Sequence, residues 1–170
     1  MNEILWLFPI LFIFHDMEEI IGYGLWLSKN RAFLDAKYPK ISNTYKPYST
    51  EGMAAAVMEE LVICLIVCVI TRFTGFYGLW FGAFVAYTLH LIIHIRQSLL
   101  IKKYIPAVIT SVICLPISIW LIIKSAVLLP YSAVELIIYS VVGTLIIALN
   151  LKLAHKIIHK FTDKFEVKEF

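Results

Sequence analysis

The sequence predicts an all-α, polytopic membrane helix bundle of about five transmembrane helices. Three observations predict it. The 170 residues are 61% hydrophobic and only 16% charged, with a mean hydropathy of +0.84, whereas a soluble domain is nearer one half apolar and one quarter charged. Five runs are long and apolar enough to cross a bilayer as helices, which takes about 20 residues each. The basic residues collect alternately in the segments between those runs, as the positive-inside rule requires.

The first run is 4–27, with Pro9 as an expected kink near its start. It mimics a signal peptide, but no Lys or Arg precedes it and no small-residue cleavage site follows Phe14, so a retained span is expected. The second and third runs are 52–71 and 76–99. The fourth is 105–123, with Pro116 inside it, and the fifth is 133–154. In lipid the backbone must satisfy itself, so runs of this length are helices. Together they make a single transmembrane domain, and no internal repeat is present.

Lys29, Arg31, Lys37, Lys40 and Lys46 follow the first run, and Arg72 follows the second. Arg96, Lys102 and Lys103 surround the end of the third, and Lys124 follows the fourth. Lys152, Lys156, Lys160, Lys164 and Lys168 lie at the end of the fifth. Counted from the N-terminus the segments carry 0, 5, 1, 3, 1 and 5 basic residues. This puts the N-terminus outside and the C-terminus in the cytoplasm of a bacterial-type plasma membrane. The basic residues thus read as topology signals, and no nucleic-acid partner is expected. Segment 28–51 reads as a cytoplasmic loop and 155–170 as a basic tail. The loop's Tyr38, Tyr45 and Tyr48 suit a membrane surface, either as a plain connection or as a cover over the cytoplasmic mouth of the bundle. Cys64, Cys68 and Cys114 all lie inside apolar runs and read as small core residues.

Ionisable side chains inside a membrane span are costly and mark function. The first run carries His15, Asp16, Glu18 and Glu19, the second Glu59 and Glu60, the third His90 and His94, and the fifth Asn150. At 100° per residue His15, Glu18 and Glu19 fan across one face around Gly22, and His90 and His94 form an i, i+4 pair. Counting residues from the span ends places the acids and imidazoles of all three helices roughly 10–14 Å inside the inner boundary. Four carboxylates and three imidazoles at one depth match a site for one or two divalent ions, zinc or iron, with manganese also suited. His15, Glu18, Glu19, Glu60 and His90 are the expected ligands. Glu59 and His94 are the expected acid/base groups of catalysis, and Asp16, Tyr87 and Asn150 the groups that orient them. His155 and His159 read as interfacial residues among lysines, and Glu135 as a solvated surface acid.

The run His15-Asp16-Met17-Glu18-Glu19 resembles the name-giving motif of the HXXEE family of small bacterial integral membrane proteins. The resemblance extends over most of the chain through the later Glu and His positions and the similar length. It implies a site and not a reaction. Intramembrane proteases of the CAAX-processing type fit less well, because they carry Arg four residues after a Glu-Glu pair, where Cys64 stands here. Desaturases need about eight histidines, and this chain has five.

The function expected from these readings is a metal-dependent membrane hydrolase whose lipid or other apolar small-molecule substrate enters laterally. A metal-ion or proton transporter or channel using the same residues is the alternative, and a ligand-binding or assembly protein the third. Its surroundings are the lipid bilayer, and assembly into a homo-oligomer is open to it.

Overall fold

The computed structural model describes residues 1–45 and 48–165, and its elements are all α-helices. They are α1 (Asn2–Leu5), α2 (Leu7–Lys37), α3 (Pro39–Tyr45), α4 (Thr50–Thr74), α5 (Tyr77–Ile101), α6 (Val108–Leu128) and α7 (Ala133–Phe165). Lys46 and Lys168, which entered the reading of the loop and tail, lie outside the described residues. Four helices, α4 to α7, are long and apolar enough to cross a membrane. The 31-residue α2 is longer than a span needs, but Asp16, Glu18 and Glu19 interrupt its apolar character.

The long helices pack in a closed order. α2 lies against α4 and α6, α6 against α5, α5 against α7, and α7 back against α4. Polar residues of α2 and α5 therefore point into the middle of the bundle. The outside is apolar. Ile137, Val141, Leu145 and Leu149 of α7 and Ile109, Val112 and Ile123 of α6 are all exposed. A continuous apolar exterior of this extent is intolerable in water and natural in lipid.

Pro9 acts earlier than its own position. A proline has no N–H and its ring crowds the carbonyl four residues back, here Leu5. The helix breaks at Trp6, between α1 and α2, and the freed Leu5 carbonyl accepts two tertiary hydrogen bonds. Trp80 Nε1 donates to it at 3.1 Å and Cys68 Sγ at 3.2 Å. Trp80, buried completely, stacks on Phe84 at 4.8 Å, and Phe8 meets Phe84 edge-on at 5.4 Å. The three cysteines are free and buried, as read from the sequence.

α4 begins at Ser49, whose hydroxyl accepts from the Gly52 N–H at 3.0 Å, the usual helix N-cap. It ends on Gly75, in the left-handed region at φ 73°. α5 and α7 meet backbone to backbone. A Cβ on Gly82 would stand 2.2 Å from the Tyr139 carbonyl oxygen, and one on Gly143 would stand 2.4 Å from Gly82. Gly78 and Gly82 form a small-xxx-small face of the kind that lets membrane helices approach closely.

Segment 28–51 differs from the expected loop. α2 continues to Lys37 and α3 covers Pro39–Tyr45. Leu34 is fully buried, so the helix has an apolar face to bury beyond the membrane run. Pro39 then opens α3, where its missing N–H is harmless. The expected tail is likewise helical as far as Phe165, and α6 starts later than expected, because Pro106 and the left-handed Ala107 (φ 88°) precede it. Pro106 packs on Gly22, where a Cβ would lie 2.8 Å from the proline's own. The close approach that Gly22 permits is made by this linker.

Candidate metal centre

α2 and α5 each present two donors one turn apart. His15 and Glu19 share a face of α2, and His90 and His94 share a face of α5. One ligand atom from each lies within 4.8 Å of all the others. Glu19 Oε1 is 2.8 Å from His94 Nε2, 3.9 Å from His90 Nε2 and 4.0 Å from His15 Nε2. His94 Nε2 is also 2.8 Å from His90 Nε2. An ion held at about 2.0–2.1 Å by four such donors spaces them about 3.3 Å apart in a tetrahedron, and these distances bracket that value. His15 is completely buried, Glu19 and His94 nearly so. His15 Nε2 is buried without any hydrogen-bond partner, and Glu19 Oε1 has the three histidine nitrogens around it. An unpartnered ring nitrogen at such depth is rare, and one beside a buried carboxylate oxygen fits a cation. The His15/Glu19/His90/His94 set can chelate one divalent metal ion.

A model of the family described as "Protein of unknown function with HXXEE motif" matches residues 6–121. This chain belongs to the HXXEE family. The match runs from the α1–α2 junction through most of α6 and so includes all four donors. No curated protein and no solved structure matches at a significant level. With its apolar spans, family membership places the protein in the bacterial plasma membrane.

The HXXEE motif is divided between two faces of α2. His15 and Glu19 face the donors of α5, while Glu18 turns to α6. The Glu18 carboxylate accepts from the Thr110 N–H at 2.8 Å, the Thr110 hydroxyl at 2.6 Å and the Tyr104 hydroxyl at 2.8 Å. It thus occupies the N-terminus of α6, where free N–H groups and the helix dipole favour an anion. The sequence reading made Glu18 a ligand; in the structure it stands outside the four-donor group, its oxygens engaged by α6. Its effect reaches the centre through Thr110. The Thr110 proton goes to Glu18, so Thr110 Oγ1 accepts from His15 Nδ1 at 3.0 Å. That fixes the tautomer of His15 and leaves Nε2 bare toward the donors.

The remaining residues sort by helix. Glu59 and Glu60 of α4 are outside the four-donor group, so two helices supply it and not three. Asn150 Nδ2 donates to Glu59 Oε2 at 3.3 Å, an orienting bond to a carboxylate that stands apart from the donors. Glu60 lines the cavity beside His90. His94, read as an acid/base group, is one of the donors. Tyr87 donates its hydroxyl to the Leu11 carbonyl at 2.9 Å and packs its ring edge-on against His15 at 6.1 Å. Asp16 is buried with Oδ2 unpartnered and lines the same cavity.

Some residues of the site escaped the sequence reading. His155, read as interfacial, lines this cavity, and so do Tyr23, Tyr45, Tyr48 and Gln97. Burial pushes the Tyr48 hydroxyl well up from its usual range, so it stays a neutral donor. Thr110 gave no signal, since a lone threonine in an apolar span most often bonds its own helix. The tyrosines gave one: the aromatic segment is open to reading as a cover over the mouth of the bundle, and its Tyr45 and Tyr48 line the cavity.

Proposed function

We propose that this protein is a metal-dependent integral membrane hydrolase acting on a lipid or other apolar substrate. One observation carries the reading: three imidazoles and a carboxylate converge on one point that adjoins a cavity. His15, Glu19, His90 and His94 would hold a divalent ion, which would polarise a carbonyl and lower the pKa of a bound water. Four protein donors would fill a tetrahedral zinc, so iron or manganese, which accept further ligands, would suit the reaction better. Glu60 stands at the cavity wall as the general base that takes the proton from the attacking water. Glu18 and Thr110 keep His15 Nε2 unprotonated.

In this reading α2 is the fifth crossing, with the N-terminus outside and the C-terminus cytoplasmic. The charge alternation supports it, and the centre then lies in the cytoplasmic half of the bilayer. The packing of the other half supports an enzyme over a transporter. There Leu5, Trp80 and Phe84 are completely buried and Phe8 nearly so, and they fill the path an ion would need.

Elemental analysis of purified protein beside a Glu19→Ala variant tests the proposal. Near-stoichiometric metal, lost in the variant together with chelator-sensitive hydrolysis of lipid esters, is expected. Folded wild-type protein that takes up no zinc, iron or manganese would overturn it.

A further inference from the structure

Two chambers meet at the metal centre. One, of about 150 Å³, lies between α2, α4, α5 and α7 and is walled by apolar groups such as Phe8, Phe12, Cys64, Val67 and Ala86. A dry cavity of this size holds a ligand the size of benzene, about six carbons. Its rim includes Leu89, Ile93 and Leu151, all exposed on the outside of the bundle. The opening lies two turns along from the Gly82–Gly143 contact, between α5 and α7. The second chamber, of about 280 Å³, is walled by Asp16, Glu19, Glu60 and His94 and by the rings of Tyr23, Tyr45 and Tyr48. Glu60, His90, Ile93 and Leu151 belong to both walls. The chambers therefore join beside the donors, apolar on one side and acidic on the other.

The charge of the second chamber selects its occupant. Among the described residues no lysine or arginine lines either chamber. A phosphate or sulfate head would find three carboxylates in the chamber wall and no lysine or arginine to pair with. A positive head finds Asp16, whose buried Oδ2 lacks a partner, and Glu60. It also finds an aromatic wall. Tyr23, Tyr45 and Tyr48 have ring centroids 5.4, 5.0 and 6.5 Å apart, and aromatic groups with nearby acids are the usual receptor for an ammonium.

We propose that the joined chambers bind a single-chain amphiphile with an ammonium headgroup, its chain end among Phe12, Cys64 and Ala86 and its head against Asp16, Glu60 and the tyrosine wall. The part of the molecule between chain and head then passes the metal centre. This deepens the hydrolase reading by naming its substrate class. It rests on that reading only for the claim that the passing segment is what reacts.

Binding is tested without turnover by protection of Cys64, which lines the apolar chamber while Cys68 and Cys114 do not. The full chain, with Cys68→Ser and Cys114→Ser, is held in maltoside micelles containing a low, equal fraction of decyltrimethylammonium or decyl sulfate. Cys64 is labelled with a small apolar thiol reagent, and circular dichroism checks the fold. The ammonium slows labelling about tenfold, as a free fraction of about one-tenth would, and the sulfate does not. Asp16→Asn with Glu60→Gln removes the preference, and Ala148→Phe at the chamber wall removes the protection. Equal protection by sulfate, or no protection by the ammonium, would overturn the proposal. Metal content is measured on the same samples. Protection in a metal-free protein would leave this inference standing and remove the hydrolase reading; bound metal without protection would do the reverse.

Discussion

α2 and α5 are built in two different ways along their shared length. In the half near the α4–α5 turn, their buried donors and acceptors find each other. Trp80 and Cys68 bond the Leu5 carbonyl, Tyr87 bonds the Leu11 carbonyl, and aromatic rings fill the space between. In the half near the α5–α6 turn, His15 Nε2, Asp16 Oδ2 and His94 Nδ1 are buried with no partner. The hydroxyls of Thr71, Ser111, Ser118 and Ser125 are unpartnered as well, but a helical hydroxyl can turn to its own preceding carbonyl. An imidazole or carboxylate has no such recourse. One half is thus organised for stability. The other carries a local penalty that bound ligands would relieve, which is how functional sites break rules obeyed elsewhere.

If the two halves are separable, their variants should fail in different measurements. The largest effect belongs to the donors. His94→Leu should weaken metal binding more than about 100-fold, exceeding what loss of a residue that merely orients a ligand costs. The metal-free variant should also be less stable than metal-free wild type, because Glu19 loses its 2.8 Å partner and stays buried. Equilibrium metal titration and unfolding in mixed micelles check both outcomes. A variant that binds metal normally would break the assignment of the polar half.

The next effect lies in the packed half. Gly82→Val places a Cβ against the Tyr139 carbonyl, 2.2 Å away before any adjustment. Backbone cannot yield as a side-chain tip can, and overpacking of this kind costs about 1–3 kcal/mol. The folded fraction should bind metal as wild type does. A change in metal affinity equal to the change in stability would mean that the halves are one unit.

Glu18→Gln probes the border between them. The substitution keeps the shape but weakens the hold on the α6 N-terminus and on Thr110. Metal affinity should fall about 10–100-fold, the effect of removing a partner behind a ligating histidine. Thr110→Val should match it, while Thr110→Ser should retain most of the affinity. A Glu18→Gln variant that loses metal as completely as His94→Leu would return Glu18 to the ligands.

Most of the bundle was legible because its signals are local. Apolar length gave the positions of the four spans, and the i, i+4 spacings of His15 with Glu19 and His90 with His94 gave two halves of a centre. What could not be read was rotation. Glu18 and Glu19 are neighbours in sequence and 100° apart on the helix. Only the position of α6, set by Pro106 against Gly22, decides which of them faces α5. Glu59 and Glu60 share the ligands' depth, but depth is not direction: Glu60 reaches the cavity wall beside His90, whereas Glu59 pairs with Asn150. The expected loop failed for a different reason. Charge density marks where a chain leaves the membrane and does not mark where a helix stops, so α2 continued to Lys37 through Lys29, Arg31 and Asp35.

The smallest effect tests how the packed half satisfies the Leu5 carbonyl. Leu5 offers its carbonyl to Trp80 and Cys68 because Pro9 offers it nothing. In Pro9→Ala the new N–H can close a helical bond to Leu5 and compete with the indole. Trp80→Phe in the wild-type background removes a buried hydrogen bond and should cost about 1–2 kcal/mol. In the Pro9→Ala background the carbonyl keeps a donor, so the same change should cost about 0.5–1 kcal/mol less, a coupling of the size neighbouring sites show. Metal affinity should be the same across all four proteins of the cycle. Strict additivity would mean that the Leu5 carbonyl is not the link between Pro9 and Trp80, and the satisfied character of this half would then need another source.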